Sequence, residues 1–267
     1  MSAPRRPSER IFGLLTGIVL AIVIILVLSP AVLTVVLSFS NDPSISFPPK
    51  SWGFERYIQL FSDATWLEPL WLSIRLSLVS AALSVTLGLG VLIAVHRSRM
   101  PFRNVLEQAS LIALILPVSA YAVAMYVVFV QLGLLGTALG LILVNTVLAL
   151  PFVVLVGSVA LRQLPGDFEL VAFTLGASRA RALVGVTLRM IVPALAAGFV
   201  MSFQAGFEEA VFVNFIGGPE LKTLPKAISD SVRYGSDPVI TAIAASIVLI
   251  TTIGIAVPLA LSRGAKK

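Results

Sequence analysis

The sequence predicts an all-α integral membrane protein with about six transmembrane helices, and three observations carry that prediction. Of its 267 residues, 58% are hydrophobic and only 12% charged, and the mean hydropathy is +1.01. A soluble domain carries about 25% charged residues, so this chain has too few to cover a water-facing surface. Apolar stretches long enough to cross a bilayer recur along the chain, since a core of ~30 Å needs ~20 such residues in a helix. The cationic residues of the connections also fall mostly on alternate sides of those stretches.

The first span, Ile11 to Leu37, follows Arg5, Arg6 and Arg10. It is too long for the apolar region of a signal peptide, and no small-residue cleavage pattern interrupts it, so it is expected to be a retained anchor. An outer loop from Ser38 to Glu68 holds the turn formers Phe47-Pro48-Pro49-Lys50-Ser51-Trp52-Gly53. Spans two to four are Pro69 to Val95, Ala109 to Leu132 and Thr137 to Leu161. The last two are joined by Gly133-Leu134-Leu135-Gly136, which predicts a tight helical hairpin. Ile191 to Phe215 and Val239 to Leu261 complete the set, separated by an outer loop that opens with Gly217-Gly218-Pro219. Pro117, Pro151 and Pro193 are expected to kink or begin helices. The organisation read from this is a tail at 1–10, a first helix and outer loop at 11–68, a five-helix core at 69–261 with an inner loop at 162–190, and a tail at 262–267.

An even number of spans puts both termini on one side. That side collects Arg5, Arg6, Arg10, Arg97, Arg99, Arg103, Arg162, Arg179, Arg181, Arg189, Arg263, Lys266 and Lys267, against Lys50, Arg56, Lys222, Lys226 and Arg233 on the other. The richer side is expected to be cytoplasmic. The net charge of +6 then reads as a basic membrane rim rather than a nucleic-acid surface. The outer loops carry Asp42, Glu55, Asp63, Glu68, Glu220, Asp230 and Asp237, a slightly acidic face compatible with a cationic solute.

Several chemistries are excluded. The chain has no cysteine, so disulfides, thiolate zinc sites and cysteine nucleophiles are absent. His96 is the only histidine and sits beside Arg97 and Arg99; one histidine cannot build a usual zinc site. A phosphate-binding P-loop needs Gly-x-x-x-x-Gly-Lys-Ser/Thr, and none of Lys50, Lys222, Lys226, Lys266 or Lys267 stands in that setting. Trp52, Trp66 and Trp71 fit anchoring at the outer interface. Gly136 and Gly140 suit close helix packing.

The inner loop is the unusual segment. Leu164-Pro165-Gly166 breaks the fourth span, Asp167 stands at an N-cap position, and Glu169 falls in the first turn where the helix dipole favours an acid. Phe168 to Leu175 then reads as a two-turn helix stopped by Gly176, with Ser178 capping a second helix that carries Arg179, Arg181 and Arg189. The first helix is apolar nearly all round, through Phe168, Leu170, Val171, Ala172, Phe173 and Leu175. Two turns are marginal alone in water, whereas each such side chain returns roughly 1.5–3 kcal/mol on burial. The helix either plugs a groove on another protein or folds back on this chain.

The run Glu169-Leu170-Val171-Ala172-Phe173-Thr174-Leu175-Gly176-Ala177-Ser178 resembles the cytoplasmic "EAA" loop of ABC importer permeases, Glu-Ala-Ala-x-x-x-Gly-Ala. Alignment on Gly176 puts Leu170 at the family's Glu, Val171 at its first Ala and Ala172 at its second. Ser38-Phe39-Ser40, Phe47-Pro48-Pro49, Leu132 to Thr137, Ala149 to Val154, and Gly217-Gly218-Pro219 through Thr223-Leu224-Pro225 are similar, in order, to spermidine/putrescine-type permeases. The resemblance implies the type I importer permease fold in a bacterial cytoplasmic (inner) membrane. It implies two ATPase subunits that bind ATP and Mg, a second and different permease chain, and an extracytoplasmic substrate-binding protein. Glu169, Leu170, Val171, Ala172, Phe173, Leu175, Gly176, Ala177 and Ser178 would form the coupling helix to the ATPase. This chain would bind no cofactor and would be no enzyme.

Glu208 and Glu209 are the paired acids predicted inside a span. An intramembrane charge costs a few kcal/mol and usually faces a cavity or a partner. Glu208 lies fifteen residues beyond Pro193, ~22 Å at 1.5 Å per residue, toward the outer side. Gln204 and Glu208 share a helix face, with Phe207 and Phe212 nearby; a carboxylate with aromatic rings suits an organic ammonium ion. Three roles stay open for the acids: lining a substrate pathway, pairing with Arg75 or Asn145, and outer exposure. A proton- or ion-coupled transporter using Glu208 or Glu209 is the alternative to an ATP-driven importer of a small organic cation such as a polyamine.

Overall fold

A computed structural model describes residues 7–97, 101–164, 167–235 and 237–264. The described residues are helical throughout, apart from connecting loops and one isolated antiparallel bridge, Ser40 to Trp52. Four helical runs among them are long and apolar enough to cross a membrane: Gly13–Ser38, Ala64–His96, Ala138–Gln163 and Arg179–Phe207. A fifth is made by two helices, Arg103–Leu114 and Val118–Leu132, that meet at 106°. The last predicted span is a 26-residue helix, Val239–Gly264, of which Val239–Thr252 is the apolar part with described side chains.

The contacts divide the chain into two compact units, Met1–Leu67 with Asp230–Lys267, and Glu68–Ser229. The final helix packs with the first.

The first unit contains α1 (Pro7–Ser38) and α2 (Glu55–Ser62). Pro30 lies inside α1, and its missing N–H leaves the carbonyl four residues back without its helical donor. Ser29 Oγ donates to that oxygen, Leu26 O, at 3.1 Å, so the helix continues. The loop after α1 is organised from within by Asp42, whose carboxylate accepts from the Lys50 amide (2.8 Å), the Ser51 amide (3.1 Å), Ser51 Oγ (2.7 Å) and Ser46 Oγ (3.1 Å). These donors hold the Asp42 pKa down at about 2. Arg56, counted among the outer basic residues, is only 3% exposed. It donates to Leu37 O (2.7 Å), Thr241 Oγ1 (2.9 Å) and Asp42 O (3.1 Å). Burial pulls its pKa down, and Asp42 and Asp237 oppose that shift. Trp66 is likewise buried and donates from Nε1 to Asp237 at 3.2 Å, so it is a packing residue; Trp52 and Trp71 are exposed.

The second unit takes in most of α3 (Ala64–Arg97), then α4 (Arg103–Leu111), α5 (Val118–Leu132) and α6 (Ala138–Gln163). A 3-10 turn, Ile112–Leu114, ends α4. The stretch from Ala109 to Leu132 is thus bent, and a helix begins after Pro117 as the sequence allows. Pro117 explains it: its ring disfavours the helical region for the residue before it, and Pro117 itself is extended, with ψ 126°. The predicted hairpin is present. Gly133 closes α5 at φ +66°, the Leu134 amide returns to Phe129 O at 2.9 Å, and Thr137 Oγ1 accepts from the Gly140 amide to begin α6.

Helix α6 is the axis of this unit. Ser80 and Ser84 of α3 donate to Ile142 O (3.2 Å) and Thr146 O (3.0 Å), and Ser202 donates to Ala149 O (3.2 Å). Small residues permit the approach: a side chain at Gly198 would sit 3.1 Å from Val153 Cα, and one at Gly157 would strike Leu92. One apolar cluster gathers Leu76, Ala122, Phe129, Leu141, Val144, Phe212, Val213 and Ile216, and another Leu92, Val154, Leu161 and Ile191.

Candidate functional site

The inner loop forms α7 (Asp167–Thr174) and α8 (Arg179–Ala182). Pro165 and Gly166, which the sequence marks as the break before α7, lie outside the described residues, as does the Asp167 side chain. The C-terminal stop is defined. Gly176 adopts φ +84°, the left-handed region that glycine enters without strain. The Ala177 amide returns to Ala172 O at 2.9 Å and the Gly176 amide to Phe173 O at 3.0 Å. Ser178 Oγ accepts from the Arg181 amide at 3.4 Å and starts the next helix.

That next helix differs from the expected short cytoplasmic one. From α8 the chain passes through a π-helical turn, Leu183–Leu188, into α9 (Arg189–Phe207), and Arg179–Phe207 is one membrane-length run. Residues 175–178 are therefore the whole corner between α7 and the fifth span. Glu169 reaches across that corner, where its carboxylate accepts from Thr187 Oγ1 of the π-helical turn. The rest of α7 is left outward. Leu170 is 59% exposed and Leu175 83%, and Phe168, Val171 and Phe173 are exposed as well, while Ala172 and Ala177 are half-buried. Nearby, Glu107 of α4 pairs with Arg162 of α6 at 2.8 Å. The sequence counts Arg162 only among the inner cations and does not pair it with Glu107; residues 55 positions apart carry no local signal.

The acid pair lies elsewhere than a helix interior. Helix α9 ends at Phe207 with Glu208 as its C-cap, and α10 (Val211–Ile216) starts anew. Glu209 explains the restart: its Oε1 accepts from the amides of Val211 (2.5 Å) and Phe212 (3.1 Å), satisfying donors that a helix start leaves orphaned. Glu208 is exposed and accepts from Gln204 Nε2 at 3.3 Å, as their spacing predicts. Phe207 is half-buried. Phe212 is fully buried and meets Tyr121 edge-on at 5.2 Å, in the core rather than beside the carboxylates. Among the described residues neither acid is hydrogen-bonded to Asn145 or paired with Arg75, which is itself exposed on α3.

Membrane-crossing helices around a serine- and glycine-packed axis, with an apolar capped helix standing out at one end, define the transmembrane subunit of a larger transport assembly. Residues 86–266 match the family of binding-protein-dependent transport system inner membrane components, and the chain belongs to that family. It is a multi-pass permease subunit of the inner membrane, which sets aside the ion-coupled reading of Glu208 and Glu209. Among curated relatives it is 26% identical to the putrescine transport system permease protein PotI of Escherichia coli, over 81% of this chain and 79% of that one. It is 25% identical to the spermidine/putrescine permease protein PotC of Haemophilus influenzae, over 83% and 86%. The sulfoquinovosyl glycerol permease protein SmoH of Agrobacterium fabrum is 26% identical over 75% and 73%. The fold matches a chain in the crystal structure of a bacterial ABC transporter that imports the acidic polysaccharide alginate, with a TM-score of 0.74, 17% identity, and coverage of 98% of this chain and 99% of that one.

Proposed function

We propose that the chain forms, with a second and different permease chain, the translocation pathway of an ATP-driven importer for a polyamine or a related small organic cation. Two ATPase subunits carry the ATP and Mg, and an extracytoplasmic binding protein delivers the solute. Both termini and the corner at 175–178 face the cytoplasm. The observation that carries the ATP-driven part is α7: five large apolar side chains displayed on two turns, fixed at the end by Gly176. A helix so exposed gains by entering a groove on another protein, and the ATPase is the partner this family requires. Glu169, Leu170, Val171, Ala172, Phe173, Leu175, Gly176, Ala177 and Ser178 make up the coupling element. The exposed face carries the contact, and Glu169 with Thr187 passes its movement to the fifth span.

The cation preference is supported by Glu208, an exposed carboxylate at the α9–α10 break with Gln204 and Phe207 beside it, and by the polyamine relatives. Gln204, Phe207 and Glu208 face the pathway; Glu209 and Phe212 shape the break that presents them. The test is uptake in proteoliposomes holding the complete complex. Putrescine or spermidine uptake is expected only with ATP inside and binding protein outside. Glu208→Gln is expected to reduce uptake at least tenfold with assembly unchanged. ATP-independent uptake contradicts the importer, and full uptake by the Gln variant contradicts the role of Glu208.

A further inference from the structure

Helix α2 (Glu55–Ser62) divides its circumference into three arcs rather than two. At ~100° per residue, Arg56 and Leu60 fall together, and both are buried. Glu55, Gln59 and Ser62 fall on a second arc, polar and exposed. The third arc holds Phe54, just before the helix, with Ile58 and Phe61, and these are 64%, 66% and 67% exposed. A helix lying between a protein core and water needs only the first two arcs. The third is a strip of large apolar groups that the described residues leave mostly exposed, with Phe54 touched at one edge by Phe39, and it runs the full length of the helix.

Depth indicates what covers it. Helix α1 crosses the bilayer and ends at Ser38, and α2 is tied to that last turn by several short contacts. The Gly53 amide donates to Phe39 O at 2.8 Å. Tyr57 Oη and Ser38 Oγ are 2.7 Å apart. Arg56 Nη1 donates to Leu37 O at 2.7 Å, and the Phe39 and Phe54 rings meet edge-on at 5.4 Å. The start of α2 is therefore fixed at the level where α1 leaves the hydrocarbon. Aromatic residues concentrate at that level, and the exposed Trp52 stands two residues ahead of Phe54. An apolar strip along a whole helix meets a flat boundary only when the helix lies along it.

We propose that α2 is an interfacial anchor. It lies in the headgroup layer on the side where α1 ends, with Phe54, Ile58 and Phe61 among the lipid chains and Glu55, Gln59 and Ser62 toward water. The inference needs only that α1 spans the bilayer, so it stands apart from the transport reading. The chain has no cysteine, so single spin labels can be placed at Ile58→Cys, Phe61→Cys and Gln59→Cys in the assembled transporter in phospholipid nanodiscs. Elution of each variant as the assembled complex, with unchanged far-ultraviolet circular dichroism, certifies that it is folded. The ratio of collision with oxygen, which enters lipid, to collision with a water-soluble nickel chelate is expected to be several-fold higher at positions 58 and 61 than at 59. Equal ratios at all three positions would place the strip in water and overturn the anchor. Shielding of positions 58 and 61 from both reagents would assign the strip to a protein partner and overturn it equally.

Discussion

Truncating Leu170 or Leu175 to alanine removes three carbons from side chains that the free chain leaves 59% and 83% exposed. If α7 enters a groove on the ATPase, that exposed fraction is what docking buries. At about 0.8 kcal/mol per buried carbon, the full side-chain difference is about 2.4 kcal/mol. Scaled by exposure, the losses are about 1.4 kcal/mol for Leu170 and about 2 kcal/mol for Leu175, or roughly tenfold and thirtyfold in affinity. Because both side chains are already exposed, the permease itself is expected to keep its assembly and thermal stability. The assay is equilibrium binding of the ATPase subunit to permease pairs in nanodiscs, with and without nucleotide. The reasoning fails if both variants, and the double variant, bind within twofold of wild type.

Three further outcomes follow from the same geometry. Gly176→Val places a β-branched residue at φ +84°, a strain of about 1–2 kcal/mol; the corner at 175–178 is expected to loosen, so that ATP hydrolysis continues while uptake falls, and parallel loss of both activities would contradict this. Thr187→Val removes the donor to Glu169 and is expected to raise futile hydrolysis in the same way, whereas Glu169→Ala in that background should add nothing. Asp42, held at about 2 against an ordinary 3.8, binds its proton less readily in the folded loop, so its contribution is complete above the ordinary range and is lost as pH falls through about 2. Protection of the Lys50 and Ser51 amides against hydrogen exchange is thus expected to hold above the ordinary carboxylate range, to fall progressively between 3.8 and about 2, and to be lost in Asp42→Asn at neutral pH; wild-type protection in that variant would contradict the assignment.

The spans were legible because they rest on one-dimensional properties, apolar length and the spacing of turn formers. Gly133, Thr137, Gly176 and Ser178 each stand where local chemistry demands a stop or a start, and each does that in the structure. The fifth span was displaced because its hydropathy says nothing about Glu209, whose carboxylate caps α10 and so ends α9 at Phe207. The sequence places Arg179, Arg181 and Arg189 on a helix of the inner loop, and that helix continues into the fifth span, since long cationic side chains tolerate an inner membrane edge. Arg56 and Trp66 looked like surface residues by type, and only tertiary contacts with Thr241 and Asp237 bury them. Phe212 fell beside the acids in sequence but turns into the core with Tyr121. Glu169 was read as a helix-dipole acid; its meeting with Thr187 depends on the corner between them.

The docking of α7 is tested most directly by crosslinking. With Leu175→Cys as the sole cysteine and a short photoactivatable reagent attached, the complete transporter is illuminated while hydrolysing ATP in the presence of binding protein and solute. The account predicts that the dominant product joins this chain to an ATPase subunit and that its yield changes between nucleotide-bound and nucleotide-free states. Products confined to this chain, with transport intact, would contradict it.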